Sequence, residues 1–209
     1  MNFSGGGFEV VEGGNKPGKS IKPGVQVAMI TSVEYVVSSQ KGTKGMKINL
    51  ETAPVEGLVD ENGNKMGQKA NTTLWMSPGA WDIPGQMWCS KAKLSLIADK
   101  LHIRDEFNAI KGSNAEDFVN KVNNLFKGKK ARWAFGGEWQ SFEGDSGTIT
   151  FIRPNLLTFG FVESLTEVPN DADTKLKVDE NNPHHVKPLE VADATAIDSA
   201  PSIDEEPAW

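Results

Sequence analysis

The chain has 209 residues, a formal net charge of −6 and one cysteine, Cys89. A single cysteine excludes an intramolecular disulfide framework, and no apolar run approaches the roughly 20 residues of a membrane-spanning helix. The charge is unevenly spread, because residues 169–209 carry ten Asp or Glu and three Lys, whereas residues 1–168 are nearly neutral. The sequence therefore predicts one folded domain, residues 1–168, followed by a disordered acidic arm, residues 169–209.

The first half of the domain has the pattern of β-strands. Over residues 25–38 apolar side chains recur largely at every second position, which is typical of a half-buried strand. A basic, glycine-rich turn leads into a second alternating segment, residues 46–51, so the two strands are predicted to form a hairpin. Asn62-Gly63 marks the next turn, and residues 69–76 are predicted to form a third strand.

Helical spacing replaces alternation after the third strand. One helix is predicted over about residues 87–102, and a second begins at Ser113, where Ser113-x-x-Glu116 fits a capping box and Gly128 is placed to end it. Strand patterns return over residues 129–139, 147–153 and 157–168. This order predicts a mainly β fold, a five-stranded barrel of the oligonucleotide-binding (OB) type with a helical insert between strands three and four. Other α+β folds share the same order.

The sequence offers no constellation of residues for catalysis. Its three histidines lack cysteine or carboxylate partners at metal-ligand spacing, and Cys89 stands alone. Asp60-x-Asn62-x-Asn64 begins like a calcium-binding loop, but Lys65 follows where that loop requires glycine. We therefore expect neither an enzyme nor a bound metal or cofactor.

Basic and aromatic residues share the predicted strands, as in surfaces that hold single-stranded nucleic acid by its phosphates and stacked bases. The basic candidates are Lys41, Lys44 and Lys47 in the first hairpin, Lys130 and Arg132 on one face of a late strand, and Arg153 on the next strand. Alternation places Trp133 and Phe135 on the other face, so we expect both rings in the core. The candidate stacking rings are Trp81, in a Pro/Gly-rich loop, and Trp139, in a Gly/Glu-rich turn. For any single lysine, an ordinary solvated turn is the alternative.

The sequence ends in an acidic stretch and a lone aromatic ring: Asp204, Glu205, Glu206, Pro207, Ala208 and Trp209. Together with the predicted barrel, this ending resembles that of bacteriophage single-stranded-DNA-binding proteins, whose acidic tips recruit replication and repair enzymes. It departs from them in detail, because bacterial tips end in Pro-Phe and phage tips usually in Phe. The resemblance implies sequence-tolerant binding of single-stranded DNA, and it implies that the three carboxylates and Trp209 contact partner proteins.

The predicted function is therefore the coating of single-stranded DNA in phage replication, recombination or repair. The acidic arm is expected to compete with DNA for the barrel groove and to recruit replication or recombination proteins when DNA displaces it. The N-terminus lacks the basic and apolar regions of a signal peptide, so a location in the host cytoplasm, away from membranes, is expected. The near-neutral body leaves an alternative, an adaptor that binds only protein. The oligomeric state, a homodimer included, and the choice between DNA and RNA stay open.

Overall fold

The computed structural model describes residues 19–75, 91–144, 147–157 and 160–188. The strands in these residues are β1 (Gly24–Val37), β2 (Lys44–Val59), β3 (Lys65–Trp75), β4 (Lys130–Gly144), β5 (Gly147–Leu156), β6 (Val162–Glu163) and β7 (Val186–Lys187). The helices are α1 (Lys91–Lys100), α2 (Arg104–Ala109) and α3 (Ala115–Phe126), with a short 3-10 helix at Asp171–Asp173.

The five long strands form one antiparallel sheet in the order β3-β2-β1-β4-β5. The two outer strands of this order, β3 and β5, approach each other, so the sheet curves into a partly open barrel with its seam between them. The three α-helices lie between β3 and β4 in the chain. This is the connectivity of an OB barrel, and the prediction of a mainly β, OB-like fold with a helical insert is confirmed.

Alternation decides which side of the first hairpin is buried. Met46, Ile48 and Leu50 of β2 are almost completely buried, whereas Lys47 and Asn49 between them lie on the outer face. The same rule holds on β3, which pairs regularly with β2 over Gly45–Glu51. The outer face of these two strands is therefore polar, and the inner face belongs to the hydrophobic core.

Helix α3 packs against the part of β1 that does not pair with β4. β4 pairs with β1 only as far as Met29, and a shift of register between Ile30 and Ser32 marks a bulge in β1. Beyond the bulge, the backbone N–H of Val33 donates a hydrogen bond to Oδ1 of Asn123 on α3 at 2.7 Å. The helix thus satisfies a backbone donor that has lost its strand partner.

The start of α3 lies one residue later than the capping box predicts. Asn114 is the N-cap, and its Oδ1 accepts a hydrogen bond from the N–H of Asp117 at 2.9 Å. The carboxylate of Asp117 accepts in return from the N–H of Ser113 at 2.8 Å. The reciprocal side chain is therefore Asp117 rather than Glu116. Gly128, with φ +82°, follows the end of the helix as predicted.

Two predicted segments differ in the structure. The strand predicted over residues 157–168 is reduced to the two residues of β6. Helix α2 forms in the segment between the two predicted helices, where the sequence predicted no element. It is held there because Phe107 packs against Phe118 and Phe126 of α3, with ring centroids 6.4 and 5.8 Å apart. The first part of the first predicted helix, residues 87–90, lies outside the described residues.

The chain does not leave the barrel at residue 168. Residues 160–188, here called the C-terminal strap, fold back along β4, with which both β6 and β7 pair. Leu176 and Val186 of the strap are buried, with 8% and 5% of their surface exposed. The prediction of a disordered arm from residue 169 onward is therefore wrong for residues 169–188. Residues 189–209 lie outside the described part of the chain.

Candidate nucleic-acid interface

A cleft opens at the seam between β3 and β5, with a volume of about 290 Å³. Its lining residues are Asn71, Thr72, Thr73 and Trp75 of β3, Glu138 of β4, and Arg153, Pro154 and Asn155 of β5. The lining thus combines one indole and one guanidinium with two side-chain amides. An aromatic face and a cation are the two groups that hold the bases and phosphates of a single strand.

Local sequence explains why the seam stays open and polar. On β3, Ala70 and Leu74 are buried, so Asn71 and Thr73, which alternate with them, lie on the outer side. On β5, Pro154 has no backbone N–H to donate to a further strand, which is typical of an edge strand. The cleft is therefore lined by one polar strand face and one strand edge.

The predicted basic residues divide between the cleft and its surroundings. Arg153 is exposed in the cleft, and it forms no ion pair in the part of the chain that the structure describes. Lys47 is half-buried on the outer face of β2, directly opposite Thr73 of the cleft. Lys44 and Lys41 are exposed further along the same hairpin. Strand pairing thus brings Lys47 to the side of the cleft, whereas Lys44 pairs with Val37 of β1 and Lys41 lies in the turn between the two strands.

Lys130 lies apart from this group. It is exposed at the first residue of β4, and eight residues separate it from Glu138 at the cleft. Along an extended strand that is about 26 Å. Its cross-strand partner is Met29 of β1, which is not a cleft residue. The structure therefore does not place Lys130 with the other candidates.

The prediction that Arg132 holds phosphate is wrong. Its side chain is 2% exposed, because the C-terminal strap covers this face of β4. Nη2 donates to Oδ1 of Asp171 at 2.7 Å, and Nη1 donates to the carbonyl oxygen of Val168 at 2.7 Å. Nη1 also lies 3.4 Å from Oε2 of Glu163. The guanidinium therefore anchors the strap to the barrel instead of facing solvent.

Glu163 is held in its ionised form beside this guanidinium. Burial acts to raise the pKa of the carboxyl, but hydrogen bonds bring it below its usual range. They come from Oγ1 of Thr174 at 2.7 Å, from the N–H of Lys175 at 3.1 Å and from Arg132. Arg132 and Glu163 thus each have further hydrogen-bond partners besides one another, as buried ion pairs require.

Trp139 lies within β4, not in a turn as predicted. It pairs across the hairpin with Ile152 of β5 and is half-buried. Alternation places it on the face of β4 opposite that of Glu138, and so away from the cleft lining. The predicted core positions of Trp133 and Phe135 are confirmed, since both are almost completely buried. The remaining candidates, Trp81, Asp204, Glu205, Glu206 and Trp209, lie outside the described residues.

Trp75 is the cleft residue that the sequence prediction missed. It ends β3 with 45% of its surface exposed. A signal was present, because alternation from the buried Ala70 and Leu74 places the next residue on the outer face. The Pro/Gly-rich composition of the neighbouring segment instead predicted Trp81 as the exposed ring.

The strap also places a cation beside the cleft. Glu138 faces Arg153 across the β4–β5 pair, and a carboxylate there could neutralise the guanidinium. Instead, Nζ of Lys187 lies 3.2 Å from Oε1 of Glu138. Glu138 therefore has its cationic partner on the strap, and Arg153 forms no ion pair among the described residues.

No protein-family model matches this chain, and no curated protein matches it. None of the helices among the described residues combines the length and apolarity of a membrane span.

Proposed function

We propose that this protein binds single-stranded DNA without sequence preference, through the seam cleft and the first hairpin. The observation that supports this most is the cleft itself, where an exposed indole and an arginine without an ion pair among the described residues line one surface of an OB-like barrel. OB barrels bind oligonucleotides on the face of their second and third strands, between the β1–β2 and β4–β5 loops. The cleft and the hairpin lysines occupy that region.

The hairpin cations lie along β2, which leads toward the cleft. Lys47 is on the outer face of the strand, and Lys44, exposed at its first residue, lies about 10 Å along the strand on the opposite face. Lys47 in turn adjoins Thr73 of the cleft, which Arg153 also lines. An OB barrel contacts about 4–16 nucleotides, so a single strand can follow the hairpin and enter the cleft.

We extend the proposal to a role in phage DNA replication, recombination or repair in the host cytoplasm. It is supported by the resemblance of the C-terminal sequence to the acidic tips of phage single-strand binders. In this role Asp204, Glu205, Glu206 and Trp209 recruit replication or recombination proteins. The alternative, an adaptor that binds protein but no DNA, is decided by a direct binding measurement.

That measurement is a titration of fluorescein-labelled oligo-dT, followed by anisotropy. The oligonucleotide is about 30 nucleotides long, which exceeds the number of nucleotides that a single barrel contacts. The proposal predicts saturable binding that weakens as salt is added, with duplex DNA of equal length a poor competitor. If micromolar protein leaves the anisotropy unchanged at low salt, the proposal is rejected and the adaptor takes its place.

The hairpin and cleft cations should account for the salt dependence. Replacing Lys44, Lys47 and Arg153 together with alanine is expected to flatten the slope of log affinity against log salt by about 2, since each single-strand phosphate contact contributes about 0.7. The matched control replaces three exposed lysines outside the interface with alanine: Lys111, Lys127 and Lys177. Equal flattening in both variants would mean that total charge, and not this surface, binds DNA.

The strap ends beside the cleft, and the acidic arm follows it in the sequence. Residues 189–209 carry six Asp or Glu and no Lys or Arg. They follow directly on β7, where Lys187 forms its ion pair with the cleft residue Glu138. Carboxylates tethered this close act at an effective concentration of millimolar order, so even weak contacts compete with DNA. This placement supports the proposed competition between arm and DNA.

Deleting residues 193–209 is the test of that competition. It removes five Asp or Glu and no Lys or Arg, so the net charge changes from −6 to −1. We expect several-fold tighter binding of oligo-dT at low salt and a smaller gain at high salt, because salt screens the arm. Trp209→Ala removes no charge and should leave the affinity nearly unchanged. An unaltered affinity after the deletion would exclude competition by the arm.

A further inference from the structure

Trp75 and Gly45 occupy facing positions on β3 and β2. A Cβ atom added at Gly45 would lie 2.8 Å from Cε3 and 3.2 Å from Cζ3 of the Trp75 indole. Real side chains do not approach this closely, so any residue other than glycine would displace the ring. The indole therefore rests on the backbone of β2, at a place that only glycine leaves open.

This support fixes the ring without burying it. The Trp75 side chain lines the cleft and is 45% exposed, while the preceding residue, Leu74, lies in the core. Since one side of the ring lies against Gly45, its exposed surface is directed away from β2. A large apolar surface that is both exposed and held in place is what stacking on a nucleobase requires.

The neighbouring groups match the rest of a nucleotide. The side-chain amides of Asn71 and Asn155 each offer both a donor and an acceptor, so they can bond the edge of any base. Arg153 supplies a planar fork of donors suited to phosphate oxygens. The cleft, at about 290 Å³, lies near the lower limit of small-ligand sites, which suits one nucleotide.

We propose that the cleft is a subsite for a single nucleotide, in which the base stacks on Trp75 and the phosphate binds Arg153. Gly45 is a positioning residue that holds the indole in its stacking orientation. Asn71 and Asn155 contact the base edge without selecting one base, which agrees with sequence-tolerant binding. This inference rests on the proposed function, since it names the residues by which the barrel holds a base.

The first test compares Trp75→Ala and Trp75→Phe in the full-length protein with oligo-dT. We expect Trp75→Ala to weaken binding by about 5- to 150-fold, the range for one stacked base. The slope against salt should stay unchanged, because no phosphate contact is lost. Trp75→Phe should keep much of the affinity but lose the part of the fluorescence quench that a base on this indole causes. Val59→Ala removes an exposed apolar side chain from β2, outside the cleft lining, and is the matched control.

The second test uses Gly45→Ala. If Gly45 acts by seating the indole, this change should weaken binding as Trp75→Ala does, and the double variant should be no weaker than Trp75→Ala alone. Additive losses would exclude the positioning role. Circular dichroism shows whether each variant is folded. If Gly45→Ala does not fold, Trp75→Phe, which keeps an aromatic ring, still tests stacking.

The outcomes separate this inference from the proposed function. If wild-type protein binds oligo-dT, and Trp75→Ala binds equally well with the full quench, the subsite is wrong while DNA binding stands. If wild-type protein itself does not bind, the proposed function fails and the subsite fails with it.

Discussion

Replacing Arg132 with alanine is expected to lower the free energy of unfolding by about 3–5 kcal/mol, as when one partner of a buried ion pair is removed. Arg132 is 2% exposed, and its loss would leave the buried carboxylate of Glu163 without its cation. The change also removes the hydrogen bonds to Asp171 and to the carbonyl of Val168. Denaturant unfolding followed by circular dichroism measures the effect.

Three variants show whether the buried charge causes this loss. Arg132→Met keeps most of the side-chain volume but no donor, so it should remain strongly destabilised. Adding Glu163→Gln should recover part of the loss, because no charge is then left buried alone. Arg153→Ala, which removes an exposed arginine, should change the free energy of unfolding by no more than about 0.5 kcal/mol.

A different result would support the sequence-based prediction that Arg132 binds phosphate. If Arg132→Ala left the unfolding free energy unchanged and flattened the salt dependence of DNA binding, Arg132 would be a phosphate contact. The ion pair to Glu163 would then be absent from the protein in solution.

Arg132 also shows where strand periodicity stops being informative. Alternation correctly placed Trp133 and Phe135 in the core, because their burial follows from one face of β4 packing inside the barrel. It could not show that the other face is covered as well. That cover comes from Glu163 and Asp171 of the strap, residues distant in sequence whose position depends on the tertiary fold.

Composition was misleading for the strap itself. Residues 169–188 are polar, with few large apolar side chains, which is typical of disorder. They are nevertheless ordered by a few specific contacts, namely the ion pair between Arg132 and Asp171, the short ladder of β7 and the buried side chains of Leu176 and Val186. The number of apolar residues in a segment does not reveal contacts of this kind, because their partners lie in another part of the chain.

The cleft was only partly predictable for a related reason. Arg153 and Trp75 stand on separate strands, and only the approach of β3 to β5 brings them to one surface. Local alternation could place each side chain on an outer face. It could not show that these two outer faces meet, since the closure of the barrel is a property of the whole sheet.

Ending the chain after Val168 should abolish stable folding, whereas ending it after Pro188 should leave stability unchanged. The shorter protein, residues 1–168, loses Asp171 and with it an ion-pair partner of Arg132. It also loses Leu176 and Val186, whose burial contributes about 1.5–3 kcal/mol each. These losses together are comparable to the whole stability of a typical domain, about 5–15 kcal/mol. Circular dichroism and limited proteolysis of the two truncated proteins measure the difference.

The same two proteins locate the boundary between the body and the arm. Residues 1–188 carry equal numbers of basic and acidic residues, and the six carboxylates that follow are absent. This protein should therefore fold fully and bind oligo-dT at least as tightly as the full-length chain at low salt. A protein of residues 1–168 with the unfolding free energy of the longer one would show that the strap is not needed for the fold. If the strap is required, the folded body extends to residue 188 and includes Lys187, whose side chain pairs with Glu138 of the cleft.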